Sequence, residues 1–157
     1  MTVCLFRVDE RLIHGQVVLG WARRLGVQRL IVVHDGLAGA PDEQGIYRCG
    51  MPPDVTADFW SLAEAAERLP AVIASDEPAL VLTGDVATMC ALARAGIPLE
   101  EVNIGGLHAG AGRKRVLPYV CLDAGDEAGI RALEEKGVTV TARDVPTTAP
   151  VRLIEDA

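Results

Sequence analysis

The stretch Arg7-Val8-Asp9-Glu10-Arg11-Leu12-Ile13-His14-Gly15-Gln16-Val17-Val18 decides the reading of this chain. The apolar run Val3 to Phe6 before it reads as a buried strand, extending to Val8. After it, Val17, Val18, Trp21, Ala22 and Leu25 recur at helical spacing over Gly15 to Leu25, and Gly26 is a natural C-cap. Between strand and helix stand two arginines, two acids and a His-Gly pair. A parallel α/β fold presents its chemistry at this place, past a strand's C-terminal end and at the start of the next helix. Arg7 and Arg11 are fixed-charge, forked donors that suit phosphate oxygens. His14 can be a neutral nucleophile near pH 7, and Gly15 lets the backbone come close to whatever His14 carries.

Working outward, strand and helix patterns alternate. Strands are expected at Arg29 to His34, Val55 to Trp60, Ala79 to Thr83, Glu101 to Ile104, Val116 to Leu122 and Val138 to Arg143. Helices are expected at Gln44 to Cys49 with a start at Pro41-Asp42-Glu43, at Ser61 to Leu69 with Ser61 and Glu64 as a capping box, at Val86 to Ala95, and at Asp126 to Lys136. Pro70 follows the second of these, with Ala71 to Ala74 either helical or irregular, and Pro118 marks its strand as an edge or a bulge. A short terminal helix is expected after Pro150. No repeat, linker or low-complexity tract interrupts the pattern. The class is α/β: a single three-layer α/β/α domain over residues 1–157, with a mainly parallel sheet of about seven strands.

Composition agrees. Half of the 157 residues are apolar and only 4% are aromatic, so aliphatic side chains must fill the core of a sheet buried on both faces. The net charge of −7 with no basic block argues against general nucleic-acid binding. No apolar run nears the roughly 20 residues of a membrane span, and no signal peptide opens the chain, so a cytoplasmic protein is expected. Cys4, Cys49, Cys90 and Cys121 have no CxxC spacing and read as free thiols in a reducing compartment.

The loops after parallel strands open on one edge of the sheet. They gather Asp9, Arg11 and His14; His34 and Asp35; Gly84 and Asp85; and Gly105, Gly106 and His108. The glycine spacing after Ile104 is not a dinucleotide fingerprint, and no Walker lysine or GxSxG motif occurs. No short ligand spacing supports a metal, so none is expected.

Arg7-x-Asp9-x-Arg11-Leu12-x-His14-Gly15-Gln16-Val17 resembles the signature of enzyme IIB of the bacterial phosphoenolpyruvate:sugar phosphotransferase system, mannose/fructose/sorbose family. Ile31 to Asp35, Leu82 to Asp85 and Val102 to His108 resemble further segments of that family, which covers nearly the whole chain. The resemblance implies that His14 carries a phosphoryl group on Nδ1. It implies a separate IIA protein as donor, a sugar held by membrane IIC and IID subunits as acceptor, and no cofactor. Phosphoryl-transfer physics then assigns Arg11 and Arg7 to the phosphoryl oxygens and the backbone N–H groups of Gly15 and Gln16 to a cradle. Arg7 has a second reading, pairing with an acid from within its strand. Asp9 either holds an arginine, orients the imidazole or bridges the loop. Asp35 either accepts the other imidazole N–H or forms a turn. Gly105 and Gly106 either donate N–H groups or permit close packing, and His108 reaches the same rim. His34 departs from the small polar residue usual in the family. Arg23, Arg24, Arg29 and the Arg113 to Arg115 cluster are candidates for partner docking. The alternative function is a regulatory phosphoacceptor that uses the same histidine without moving sugar.

Overall fold

The computed structural model describes residues 4–75 and 77–154. Val3, at the expected start of the first strand, and residues 155–157 of the expected terminal helix lie outside them, as do the side chains of Cys4, Gln16, Val18 and Leu19, Val18 being part of the expected helical spacing. Eight strands and six α-helices follow one another as β1 (Cys4–Val8), α1 (Arg23–Leu25), β2 (Arg29–Val33), α2 (Asp35–Ala38), α3 (Pro41–Arg48), β3 (Thr56–Trp60), α4 (Leu62–Ala74), β4 (Ala79–Thr83), α5 (Val86–Arg94), β5 (Glu101–Ile104), β6 (Lys114–Leu117), β7 (Val120–Leu122), α6 (Ala124–Glu135) and β8 (Thr139–Ala142) among the described residues. A π-helical segment, Gln16–Ala22, leads directly into α1.

Six strands pair in the order β3-β2-β4-β1-β5-β8, every pairing parallel. Alternate residues of the central strands enter two cores, because successive side chains point to opposite faces. Leu30, Val32, Leu80 and Leu82 pack with Val17, Trp21 and Leu37 on the face covered by the π-helical segment and α2. Ile31, Val33, Val81 and Val8 pack with Leu69, Met89 and Ile130 on the face covered by α4, α5 and α6. This three-layer arrangement is the expected one, and its near-continuous aliphatic strands are what a sheet buried on both sides requires.

The main sheet has six strands because the segment expected to be a seventh, Val116 to Leu122, folds on itself. Pro118 and Tyr119 make a turn, and β6 and β7 pair antiparallel as a separate two-stranded ribbon. Pro118 thus ends a strand that a continuous reading would have carried through it. Pro70 behaves in the opposite way: α4 runs through it to Ala74, with Pro70 exposed while Leu69 and Val72 are buried. Burial of those neighbours offsets the lost backbone hydrogen bond. The segment after Pro150 forms no helix among the described residues; Val151 bridges Ala142 in antiparallel fashion. The loop expected after β2 contains the short α2, and the next helix begins at Pro41, as its proline and the acids after it indicate. The capping box at Ser61 and Glu64 forms, and Gly26 caps α1 at φ 66°.

β1 lies between β4 and β5, and the chain leaves it toward β2 on one side and reaches β5 on the other. The C-terminal end of β1 is therefore the reversal point of the strand order, where an open parallel sheet forms its crevice.

Candidate phosphotransfer site

Arg7 and Asp9 are two residues apart, so both leave β1 on the face of the π-helical segment. Both side chains are 0% exposed. Arg7 Nη2 donates to Asp9 Oδ2 at 3.3 Å and to the carbonyl oxygen of Asp144 at 3.1 Å. Arg7 Nη1 donates to the Arg143 carbonyl at 2.7 Å and to Asn103 Oδ1 on β5. The guanidinium stacks 4.9 Å from the centre of the Trp21 ring, and Trp21 Nε1 donates to the Asp144 carbonyl at 3.1 Å. Burial lowers the Arg7 pKa, a cost that Asp9 opposes by charge and hydrogen bond.

Arg7 is thus a fastening between β1, β5 and the chain after β8. Its burial does not match the expectation that it meets phosphoryl oxygens; it matches the second reading, pairing with an acid. Asn103 was not recognised in the sequence. A polar residue facing inward on a short apolar strand, with Gly-Gly beyond it, was the signal present.

Asp9 is the hub. Its Oδ2 also lies 3.0 Å from His14 Nε2, and its Oδ1 accepts the Arg11 backbone N–H at 3.0 Å and stands 3.6 Å from Arg11 Nε. Burial pushes the Asp9 carboxyl up, but hydrogen bonds from the His14 ring and the Arg11 backbone, with the nearby Arg7 charge, outweigh it and hold the group below its ordinary value. A carboxylate only accepts, so the proton at this contact sits on Nε2, and the lone pair of a neutral ring is left on Nδ1. His14 is 16% exposed and Arg11 42%, so the outer members of the cluster are within reach of a partner while Arg7 and Asp9 are not.

The backbone makes this packing possible. Asp9 N–H donates to the Thr83 carbonyl on β4 at 2.9 Å, and Gly105 N–H donates to the Val8 carbonyl at 2.7 Å. A Cβ on Gly105 would stand 2.3 Å from Arg7 Nη2 and 2.9 Å from Asp9 Oδ2; one on Gly106 would stand 3.2 Å from Asp9 Oδ1. The two glycines serve close packing of the Arg7–Asp9 pair against backbone. Leu12 turns the chain at φ 57°, its N–H donating to the Asp9 carbonyl at 3.0 Å. That left-handed conformation costs a branched residue about 1 kcal/mol or more, offset by burying Leu12 to 4% exposure.

The other rim residues have different partners. Asp35 Oδ1 accepts the Leu62 backbone N–H at 2.8 Å, and His34 Nδ1 accepts the Leu37 N–H at 3.0 Å as the cap of α2. His108 is drawn to Glu10, its Nδ1 3.0 Å from Oε2. Among the docking candidates, Arg29 pairs with Asp58 at 2.6 Å and stacks on Trp60, while Arg113 pairs with Glu10. Gly15 carries no crowding: a Cβ there would meet nothing within 4 Å. A cleft of about 250 Å³ beside the loop after β1 is lined by Glu10, Leu12, His34, Tyr47, Gly84 and Asp85. Among the described residues, no helix is long and apolar enough to cross a membrane.

Comparison with known proteins agrees with this fold. A phosphotransferase-system family, described as "PTS system sorbose subfamily IIB component", matches residues 3–155. The chain is 31% identical over 147 residues to the sorbose-specific EIIB component of Lacticaseibacillus casei, covering 94% of this chain and 90% of that one. It is 29% identical over 153 residues to the N-acetylgalactosamine-specific phosphotransferase enzyme IIB component 2 of Escherichia coli (strain K12), covering 98% and 97%. The crystal structure of the IIBSor domain of the sorbose permease from Klebsiella pneumoniae superposes with a TM-score of 0.87 at 29% identity, over 96% of this chain and 93% of that one. The fold and the family match define a sugar phosphotransferase-system component with a general role in phosphoryl transfer. The chain belongs to the sorbose subfamily of the IIB components.

Proposed function

We propose that His14 is the phosphoacceptor and that its Nδ1 takes the phosphoryl group from a histidine of a IIA partner. The observation that carries this is the 3.0 Å contact between His14 Nε2 and Asp9 Oδ2, which leaves Nδ1 as the nucleophilic nitrogen. In the first transfer, the donor's P–N bond breaks as the bond to Nδ1 forms, and the breaking bond's electron pair stays on the donor ring. No proton need leave His14, because Nδ1 carries none. The ring becomes positively charged, and the Asp9 carboxylate at Nε2–H stabilises it. Arg11 meets the phosphoryl oxygens, on which a loose transition state spreads its charge. Arg7 acts through Asp9, holding the carboxylate in place.

In the second transfer, the Nδ1–P bond breaks as phosphorus bonds to a hydroxyl oxygen of a sugar held by the membrane IIC and IID subunits. The hydroxyl proton passes to a base or to solvent, and His14 returns to neutral. The protein then works in the cytoplasm at the membrane face, as one domain over residues 1–157.

Phosphoenolpyruvate, the general phosphotransferase proteins and a IIA partner should label His14, read by mass spectrometry under conditions that spare phosphohistidine. His14→Ala should take no label while its circular dichroism stays that of the wild type. Label should chase onto sugar when membranes bearing IIC and IID are added. A label on another residue would overturn the acceptor assignment, and a label that stays on the protein beside competent membranes would favour a regulatory role.

A further inference from the structure

Glu10 lies between the buried Asp9 and the exposed Arg11, in the middle of the reactive loop. Its two carboxylate oxygens both reach across to the chain that follows β5. Oε1 accepts from Arg113 Nη1, and Oε2 accepts the His108 backbone N–H at 3.1 Å and stands 3.0 Å from His108 Nδ1. Arg113 Nη1 donates also to the His108 carbonyl at 2.9 Å, and Arg113 Nε lies 3.9 Å from Asp126 Oδ2 at the start of α6. Beneath the side chains, Glu10 N–H donates to the Gly106 carbonyl at 2.9 Å. One arginine therefore ties the reactive loop, the glycine loop and α6 together. Burial pushes Glu10 up, but the hydrogen bonds from Arg113 and His108 outweigh it and keep the group below its ordinary value.

The pair is partly exposed, and ion pairs of that kind add little to stability. Its position matters more. Without Arg113, the Glu10 carboxylate keeps its His108 contacts on Oε2 but loses its fixed-charge partner, one residue from the arginine that meets the phosphoryl group. Such an anion repels the incoming charge and draws on the same guanidinium.

We infer that Arg113 is a positioning residue for phosphoryl transfer: it holds Glu10 against the loop after β5 and so keeps that carboxylate from opposing the phosphoryl group at His14. This rests on His14 as the acceptor. The sequence motif includes Glu10's position but nothing of Arg113, which lies 103 residues away.

The test is single-turnover label transfer from phosphorylated IIA to the wild type, Arg113→Ala, Arg113→Lys and the double variant Arg113→Ala with Glu10→Gln, each over a range of donor concentration. Arg113→Ala should lower the saturating rate about tenfold with the half-saturating concentration unchanged. Arg113→Lys should recover most of the rate. The double variant should be faster than Arg113→Ala alone, because the opposing anion is gone; a merely structural latch would make it no faster. An Arg113→Ala rate equal to wild type, a double variant no faster than the single, or a change confined to half-saturation would each overturn the inference. A wild type that takes no label at His14 would overturn the acceptor assignment and the inference with it, a result that does not involve Arg113.

Discussion

Two strand ends on the same rim each offer a histidine and an aspartate, and the structure treats them differently. After β2, His34 accepts the Leu37 N–H and Asp35 accepts the Leu62 N–H; both side chains are used to start helices. After β1, His14 meets a carboxylate that is itself 0% exposed and already bound to a buried arginine. The difference lies in what stands behind the histidine. A backbone N–H donating to a ring nitrogen occupies its lone pair and makes it a cap. A buried carboxylate accepting from a ring nitrogen fixes the proton there and leaves the opposite nitrogen free to react. Position at a strand's C-terminal end is common to both and does not separate them.

The sharpest way to break this contrast is to remove the buried charge. Asp9→Asn leaves Arg7 without its anion, and a broken buried pair costs about 3–5 kcal/mol. Urea unfolding should show that loss, and label transfer to His14 should fall by about a hundredfold in the folded fraction. Normal transfer would mean that the Asp9 charge has no part in preparing His14.

Gly105→Ala attacks the same pair from outside, since its Cβ would stand 2.3 Å from Arg7 Nη2. Overpacking of this kind costs about 1–3 kcal/mol, measured as a lower urea midpoint. A midpoint equal to wild type would show that the Arg7–Asp9 pair has room to move.

Acid should act next. Asp9 is held below its ordinary carboxylate value in the fold. The stability it contributes is therefore complete above its unfolded value of about 3.9 and is lost as pH falls through the folded value. Unfolding free energy measured from about pH 5 downward should drop more steeply in wild type than in Asp9→Asn. Parallel curves would remove Asp9 from the acid response.

The smallest effect belongs to the other strand end. His34→Ala should cost about 1 kcal/mol, as the loss of a helix cap does, and leave label transfer unchanged. A fall in transfer would erase the distinction between the two histidines.

Much of the fold was legible because aliphatic runs, glycine caps and the Ser61–Glu64 box are local signals with one physical reading each. Apart from the short α2 and the segment after Pro150, the exceptions were two prolines. Pro70 sits inside α4 because the burial of Leu69 and Val72 outweighs a lost hydrogen bond, and Pro118 turns a strand into a ribbon because β6 finds β7 beside it. Both outcomes depend on neighbours that a linear reading does not supply.

The site divides in the same way. His14, Arg11, Asp9 and the glycines were singled out by residue type, by their place at strand ends and by the motif's resemblance to the IIB family, properties that the chain carries along its length. Which of them lie inside was decided by the pairing of β1 between β4 and β5. That pairing brings Asn103 and the Arg143 and Asp144 carbonyls onto Arg7 and buries the arginine beside Asp9. Local sequence determined the inventory of groups, and the resemblance of its motif to the IIB family implied the class of chemistry. Only the tertiary structure determined burial and contact between distant residues, and a charged group's role depends on both, because burial sets its electrostatics and contact sets its partner.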